Sequence, residues 1–473
     1  MDERLWTWSA TDIARAVTTG EVSAREVVDA HLDRIAEVNP VVNAVTVVQA
    51  DGARAAADAT DQARRAGERL GPLAGVPFTV KENIDVEGMA TTHGIPHFKH
   101  CVATTDAPPV GRLRAAGAVP IGHSNMPDLT VGGNNTISQL FGETRNPWGA
   151  IRTPGGTSGG DAAATSSGMA PLGLGNDSGG SVRLPAMFCG VAALKPGYGR
   201  IPMEHRIADT DPMLASQLYP VDGPIARTVA DLRAAFEVLV GTDPRDPRAV
   251  AVPVDGPRLD GPVRVAVCAD PAGQGVHPQV AAEIERAATA LAEAGYIVEE
   301  AQPPRIADAL DAYSTMITTE FGQGWERLRP LLTPASAAHM ELSLRQKPPA
   351  DVAGYLAATA LRHGVMRDWA RFATTYPLVL APVYTERPFD AELTDDVVGE
   401  KIMHAMRMCT ATTLVGVPAV AVPTGVVDGQ PLGVQLIGPR YREDLCLQAA
   451  AALEQRFGTL TPIEPAFTAT VPA

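Results

Sequence analysis

Two glycine-flanked hydroxyl clusters lie close together in this chain: Gly155-Gly156-Thr157-Ser158-Gly159-Gly160 and Asp177-Ser178-Gly179-Gly180-Ser181. A serine hydroxyl is a weak nucleophile until a base draws its proton, and N–H donors must receive the charge of the attacked carbonyl. Glycine lets backbone adopt positive φ and lets other groups approach closely. Two such loops joined by one short element can bring hydroxyls and backbone N–H groups to one point, which is the equipment for acyl transfer. The stretch between them, Asp161 to Gly168, is small and Ala-rich and reads as a tightly packed helix. A phosphate cradle fits less well. A Walker loop needs a Lys after its last glycine and none follows here, and Gly173-Leu174-Gly175 meets Ser178 where a dinucleotide fingerprint needs glycine. A linker would not carry the apolar runs Met169–Leu174 and Leu184–Leu194.

A base is at hand. Leu73 to Asp85 contains an apolar strand run that ends on a single cation, Lys81. A lone lysine at a strand end ordinarily keeps its head in water. Burial would disfavour the ammonium and leave a basic amine. Lowering a lysine from about 10.4 to near 7 takes about 4–5 kcal/mol, which desolvation can supply. His93, His97 and His100 beside Cys101 invite a metal reading. Their spacing matches neither HExxH nor a zinc ribbon, and Gly94 and Pro96 break any helix that would align the imidazoles, so no metal is expected. Gly156 to Gly160 also satisfies the GxSxG nucleophile elbow, with Ser158 as nucleophile. The residues before it, Asn146 to Pro154, do not form the apolar strand that an elbow needs. Cys189 lies inside an apolar run and reads as a core thiol.

The elements that must hold these groups alternate between strand and helix. Ser9 and Ser23 open short amphipathic helices through capping boxes. The second carries Val27, Val28, His31, Leu32 and Ile35 on one side and is expected to end near Asn39-Pro40. Val41–Val48 reads as a strand, Asp51–Glu68 and Asp106–Gly117 as helices, and Ala118–Gly122 as a strand. Gly223–Gly241 reads as a helix with Thr228 or Asp231 near its start. Val263–Cys268, Pro278–Gly295 and Tyr296–Glu299 form a βαβ-like unit. Ile306–Ala373 is mostly helical, with breaks at Pro330, Pro334 and Lys347-Pro348-Pro349. Pro377–Val383, Ala419–Thr424 and Gly433–Ile437 are further strands, and Glu443–Phe457 is the closing helix. The uncharged run Met408–Val427, broken by glycine and proline, reads as strand–loop–strand rather than a membrane span. The alternation predicts an α/β fold with a large mixed sheet.

A net charge of −15 over 473 residues argues against a nucleic acid or an anionic membrane as partner. The five cysteines are scattered without a CxxC, which suits a reducing cytoplasm and no disulfide framework. The segment MDERLWTWSA has neither the basic nor the apolar region of a signal peptide. A cytoplasmic location is expected.

GGTSGG, GNDSGGSVRLP and GVAALKP, preceded by VPFTVKENID, together resemble the amidase signature family. Gly223–Asp231 and Pro418–Gln435 are similar to it too, and the likeness is weakest over Ile306–Ala373. The resemblance implies one domain over residues 1–473, with its signature core at about 70–200 and a large mixed β-sheet flanked by helices on both faces. It implies a Ser–cis-Ser–Lys triad with Ser181 as nucleophile and Lys81 as remote base. The bridging serine of the family falls on Thr157, after a cis Gly156–Thr157 peptide, and Ser158 matches the motif's second serine. Threonine still offers a donor and an acceptor, so Thr157 is taken as the relay, with Ser158 kept beside it. The backbone N–H groups of Ser178, Gly179, Gly180 and Ser181 match the family's oxyanion hole. Asp177 and Arg183 match further motif positions and read as a charge pair scaffolding the loop. No cofactor or metal is implied. The expected partner is a small-molecule amide or carbamate, and a homodimer is common in the family. The family also includes the A-type component of a glutamine-dependent amidotransferase, but that component typically has Gln where this chain has Leu184. Ile306–Ala373, with Tyr313, Phe321, Trp325 and Trp369, is expected to build an acyl pocket for an apolar or aryl group.

Overall fold

Short apolar strands buried on both faces set the architecture. The computed structural model describes residues 4–132, 134–204, 210–391, 401 and 404–467. Its strands are β1 Val45–Val48, β2 Pro77–Lys81, β3 Val119–Ser124, β4 Ile137–Ser138, β5 Gly142–Glu143, β6 Leu172–Asp177 and β7 Ala192–Lys195. They continue with β8 Val221–Ala226, β9 Arg264–Val267, β10 Ile297–Glu300, β11 Leu378–Pro382, β12 Ala419–Val427 and β13 Gln430–Ile437. All but β4 and β5 join one sheet in the order β1-β3-β2-β6-β8-β7-β12-β13-β11-β9-β10. β2 runs parallel to β3 and β6, and β9 runs parallel to β10 and β11. From β6 through β8, β7, β12 and β13 to β11 the pairing is antiparallel. The sheet is therefore large and mixed, as expected.

The helices are α1 Ala10–Thr19, α2 Ala24–Val42, α3 Ala50–Arg65, α4 Pro108–Ala115, α5 Gly159–Ser166, α6 Arg183–Cys189 and α7 Leu214–Leu218. There follow α8 Val229–Leu239, α9 Pro278–Glu293, α10 Ile306–Leu328, α11 Pro334–Gln346, α12 Val352–Phe372, α13 Arg407–Val415 and α14 Glu443–Phe457. They flank both faces of the sheet. Successive strand residues point to opposite faces. Along β11, Leu378 and Leu380 pack into one core with Ile284 of α9 and Leu445 of α14, whereas Val379 and Ala381 pack into another with Met316 of α10 and Trp369 of α12. No helix among the described residues is long and apolar enough to cross a membrane.

Local chemistry explains most boundaries. Ser23 and Glu26 complete a reciprocal capping box, and Ser9 accepts from the Asp12 amide. α2 does not stop at Pro40 but runs on to Val42, so the strand expected from Val41 begins only at Val45. The helix expected from Gly223 begins at Val229, capped by Thr228, because Val221–Ala226 is a strand between β6 and β7. The run Met408–Val427 is helix α13 followed by β12, not two strands. A continuous apolar run carries no period to separate buried helix from buried strand.

Candidate active site

β2 ends at the centre of the site. All five of its residues are buried, and Thr79 and Val80 pair with Gly173 and Leu174 of β6. This register brings Lys81 beside Asn176 near the end of β6. Lys81 is 0% exposed, so its head is not in water. Its Nζ donates to Thr157 Oγ1 at 2.6 Å and to Asn176 Oδ1 at 2.7 Å. Burial pushes the lysine down to about 7, against the pull of Asp161, Asp177 and Asp222. Burial likewise raises Asp161 to about 6, although its Oδ1 accepts from Thr79 Oγ1 at 2.7 Å.

The first hydroxyl loop is pressed into the molecule by its glycines. The Gly156–Thr157 peptide is cis. A Cβ on Gly156 would lie 2.6 Å from Asn135 O, and one on Gly160 would lie 2.4 Å from Asn125 N. Only glycine permits that approach of two backbones. α5 starts at Gly159, two residues earlier than the Ala-rich pattern suggests, and every one of its residues is buried. The α5 start has no strand directly before it, so the strand–turn–helix context of a nucleophile elbow is missing. Ser158 is fully buried, and its Oγ donates to the Asn176 carbonyl at 3.2 Å.

The second loop faces the first. The Ser158 amide donates to the Ser181 carbonyl at 3.1 Å, tying the two loops together. Ser178, Gly179 and Ser181 are partly exposed, as an incoming acyl group requires. Ser181 Oγ makes no hydrogen bond among the described residues. The amides of Gly179 and Gly180 donate to Asp177 Oδ1 at 3.2 and 2.7 Å. The amides of Ser178 and Ser181 have no acceptor among the described residues. The four amides matched to an oxyanion hole thus divide into two that Asp177 holds and two that are open. Asp177 and Arg183, both fully buried, form a two-point ion pair at 2.9 and 3.0 Å. Burial alone would raise the Asp177 carboxyl, but the guanidinium holds it well below the carboxylate range. Arg183 goes on to Thr412 Oγ1, Gln435 Oε1 and the Cys409 carbonyl, which anchors the loop to α13 and β13.

Of the aromatic residues expected at the acyl pocket, Tyr313 reaches the loop. Its hydroxyl donates to the Ser178 carbonyl at 2.6 Å, and its ring stacks on Tyr219 at 4.8 Å. Trp369 is a core residue bonded to the Pro304 carbonyl. Phe321 and Trp325 pack with Ile95, Leu129 and Met340 in a separate cluster. Cys189 is a buried thiol whose pKa burial raises. No group of three or more His, Cys, Asp or Glu residues is placed to hold a metal among the described residues. Asn176 is the site residue that the motif contained without announcing a role. The signal was its place at a strand end, between the motif's glycine and Asp177.

The Amidase family model matches residues 26–447. Indoleacetamide hydrolase of Bradyrhizobium diazoefficiens is 41% identical over 460 residues, covering 96% of this chain and 88% of that one. The A-type component of glutamyl-tRNA(Gln) amidotransferase from Symbiobacterium thermophilum is 38% identical, covering 94% of this chain and 96% of that one. The structure of 6-aminohexanoate cyclic dimer hydrolase superposes with a TM-score of 0.84 at 29% identity, over 98% of this chain and 99% of the other. The family model matched over residues 26–447, together with relatives 41% and 38% identical over almost the whole chain, places the chain in the amidase signature family.

Proposed function

We propose that the protein hydrolyses the C–N bond of a small carboxamide with an apolar or aryl acyl group, through an acyl-enzyme on Ser181. The observation that carries this reading is the buried Lys81 amine 2.6 Å from Thr157 Oγ1, on the loop whose next amide binds the Ser181 carbonyl. Neutral Lys81 takes the Thr157 proton while Thr157 takes that of Ser181. Ser181 Oγ bonds to the acyl carbon, and the carbonyl electron pair moves onto oxygen. The Ser178 and Ser181 amides receive that charge first, with Gly179 and Gly180 held in place by Asp177. Collapse breaks the C–N bond, and the proton returns through Thr157 to the leaving amine. Water repeats the sequence and releases the acid. The relay requires a Ser181–Thr157 contact, and such contacts often tighten only with substrate bound. Ser158, committed to the Asn176 carbonyl, supports the loop.

Two observations support an arylacetamide as substrate. The 41% identical relative is named for indoleacetamide, and the partly exposed Tyr313, stacked on the buried Tyr219, reaches the Ser178 carbonyl. Carbamates and esters present a similar acyl carbon and form the second class to assay. The likeness to an amidotransferase component supports one further reading, in which partner proteins are required.

Labelling with a fluorophosphonate and mapping the adduct by mass tests the mechanism. Label on Ser181, lost in Lys81→Ala and Thr157→Ala, is the expected result. Label on Ser158 overturns it. Ammonia release from indole-3-acetamide by the isolated chain is expected, and activity only with co-purified partner proteins would favour the amidotransferase reading.

A further inference from the structure

Lys81 has two polar partners, and the proposed proton route uses only Thr157. The other, Asn176 Oδ1, lies 2.7 Å from Nζ in a buried contact. The Asn176 side chain is itself held, because its Nδ2 donates to Asn83 Oδ1 at 2.9 Å. Its backbone is fixed as well, paired with Asp222 of β8 and accepting from Ser158 Oγ. Asn83 stands two residues beyond Lys81 and is half-buried. The two amides therefore bridge the end of β2 to the end of β6, directly over the amine.

The chemistry of the partners differs. A neutral amine has two N–H bonds and one lone pair. An amide oxygen can only accept, whereas a hydroxyl both accepts and donates. The N–H that faces Asn176 is committed as a donor. Donation from Nδ2 to Asn83 keeps Asn176 from turning its NH2 group toward the amine and occupying the lone pair. Once the ammonium gives up the proton it donates to Thr157 Oγ1, the lone pair is left facing the Thr157 O–H, the direction in which a proton must travel. Neutrality matters as much as geometry. The charged and titratable groups around Lys81 are already many: Asp161 on α5, Asp177 on β6 paired with Arg183 on α6, Asp222 on β8, and Glu82 and His123 at the ends of β2 and β3. One more carboxylate in direct contact would hold the ammonium through a charge-assisted bond.

We propose that Asn176, oriented by Asn83, is a positioning residue for Lys81: its amide oxygen takes one N–H of the amine and aims the lone pair at Thr157. This rests on the reading of Lys81 as base. The rate at which a fluorophosphonate labels Ser181, followed against pH, reads the base without knowledge of the natural substrate. Asn176→Asp is isosteric and is expected to slow labelling at neutral pH by about 10²-fold and to move the rising limb to higher pH. Asn176→Ala is expected to lower the plateau rate by about 10-fold or more through lost alignment, with the limb at or below its wild-type pH. Asn83→Ala, at a half-buried position outside the sheet, should lower the plateau less, and it carries the test if the Asn176 variants do not fold. A wild-type limb in Asn176→Asp, or wild-type plateaus in both alanine variants, overturns the proposal. Lys81→Ala separates the two ideas. Wild-type labelling there removes the base itself, whereas lost labelling there with wild-type profiles in the Asn176 variants removes only the positioning role.

Discussion

Thr157 shows what the relay position asks of a side chain. The contact to Lys81 is made by Oγ1, and Thr157 is 6% exposed, so the loop accommodates the extra methyl. Thr157→Val keeps the volume and removes the hydroxyl, so labelling of Ser181 should fall by about 10²–10⁴-fold, the usual worth of general acid–base catalysis. Thr157→Ser should restore it relative to valine. Lys81 sets the pH dependence. Desolvation brings it to about 7; below that pH the amine is an ammonium with no lone pair to offer. Acylation should therefore rise with pH through about 7 and then level off, as a pH–rate profile of fluorophosphonate labelling would show. At this scale the sequence was legible in residue type and opaque in contact. Lys81, Thr157 and Ser181 stood in recognisable motifs. The bond from Lys81 to Asn176 joins residues far apart in the chain, and no local pattern states it. Burial of the Lys81 head ran against the ordinary habit of lysine and depended on the strands that cover it.

Among the elements, α6 anchors the loop that carries Ser181. Its first residue, Arg183, is fully buried and bonded to Asp177, Thr412, Gln435 and the Cys409 carbonyl. Arg183→Met removes one partner of a buried ion pair and leaves the Asp177 carboxylate uncompensated. It should cost about 3–5 kcal/mol of stability, measured by denaturant unfolding. Pairing it with Asp177→Leu should recover stability but not labelling, because Asp177 also holds the Gly179 and Gly180 amides. Elements with their own chemistry were readable: the Ser23 capping box, the βαβ unit of β9, α9 and β10, and the three helices α10, α11 and α12 with breaks at proline. The elements missed were those whose character comes from neighbours. β8 contains Gly223 and Pro224, where the sequence reads as the start of a helix, yet β6 and β7 pair with it from both sides. Pro40 sits inside α2, and α13 carries the same apolar signature as a buried strand.

For the whole molecule, the site is a cost in stability. An unfolded lysine titrates near 10.4, whereas the folded Lys81 is held at about 7 by burial. Between those values the unfolded chain binds more protons, so this residue makes stability rise with pH by about 1.4 kcal/mol per unit, and the cost is full below about pH 7. Lys81→Met carries no such term. It should be more stable than the wild type at neutral pH and below, with the advantage shrinking as pH rises toward 10, measured by denaturant midpoints at several pH values. The protein is an amide hydrolase of the amidase signature family, and the fold by itself does not choose the substrate. α5 has a further consequence. It lies wholly inside the molecule, with no residue larger than Asp or Thr and no outward face. In a lineage descending from this chain, those eight positions would scarcely drift, whereas the open positions of α12, such as Val352 and Leu356, would drift freely. Such a gene keeps two clocks: a nearly stopped one for the buried helix, and a running one for the positions open to solvent.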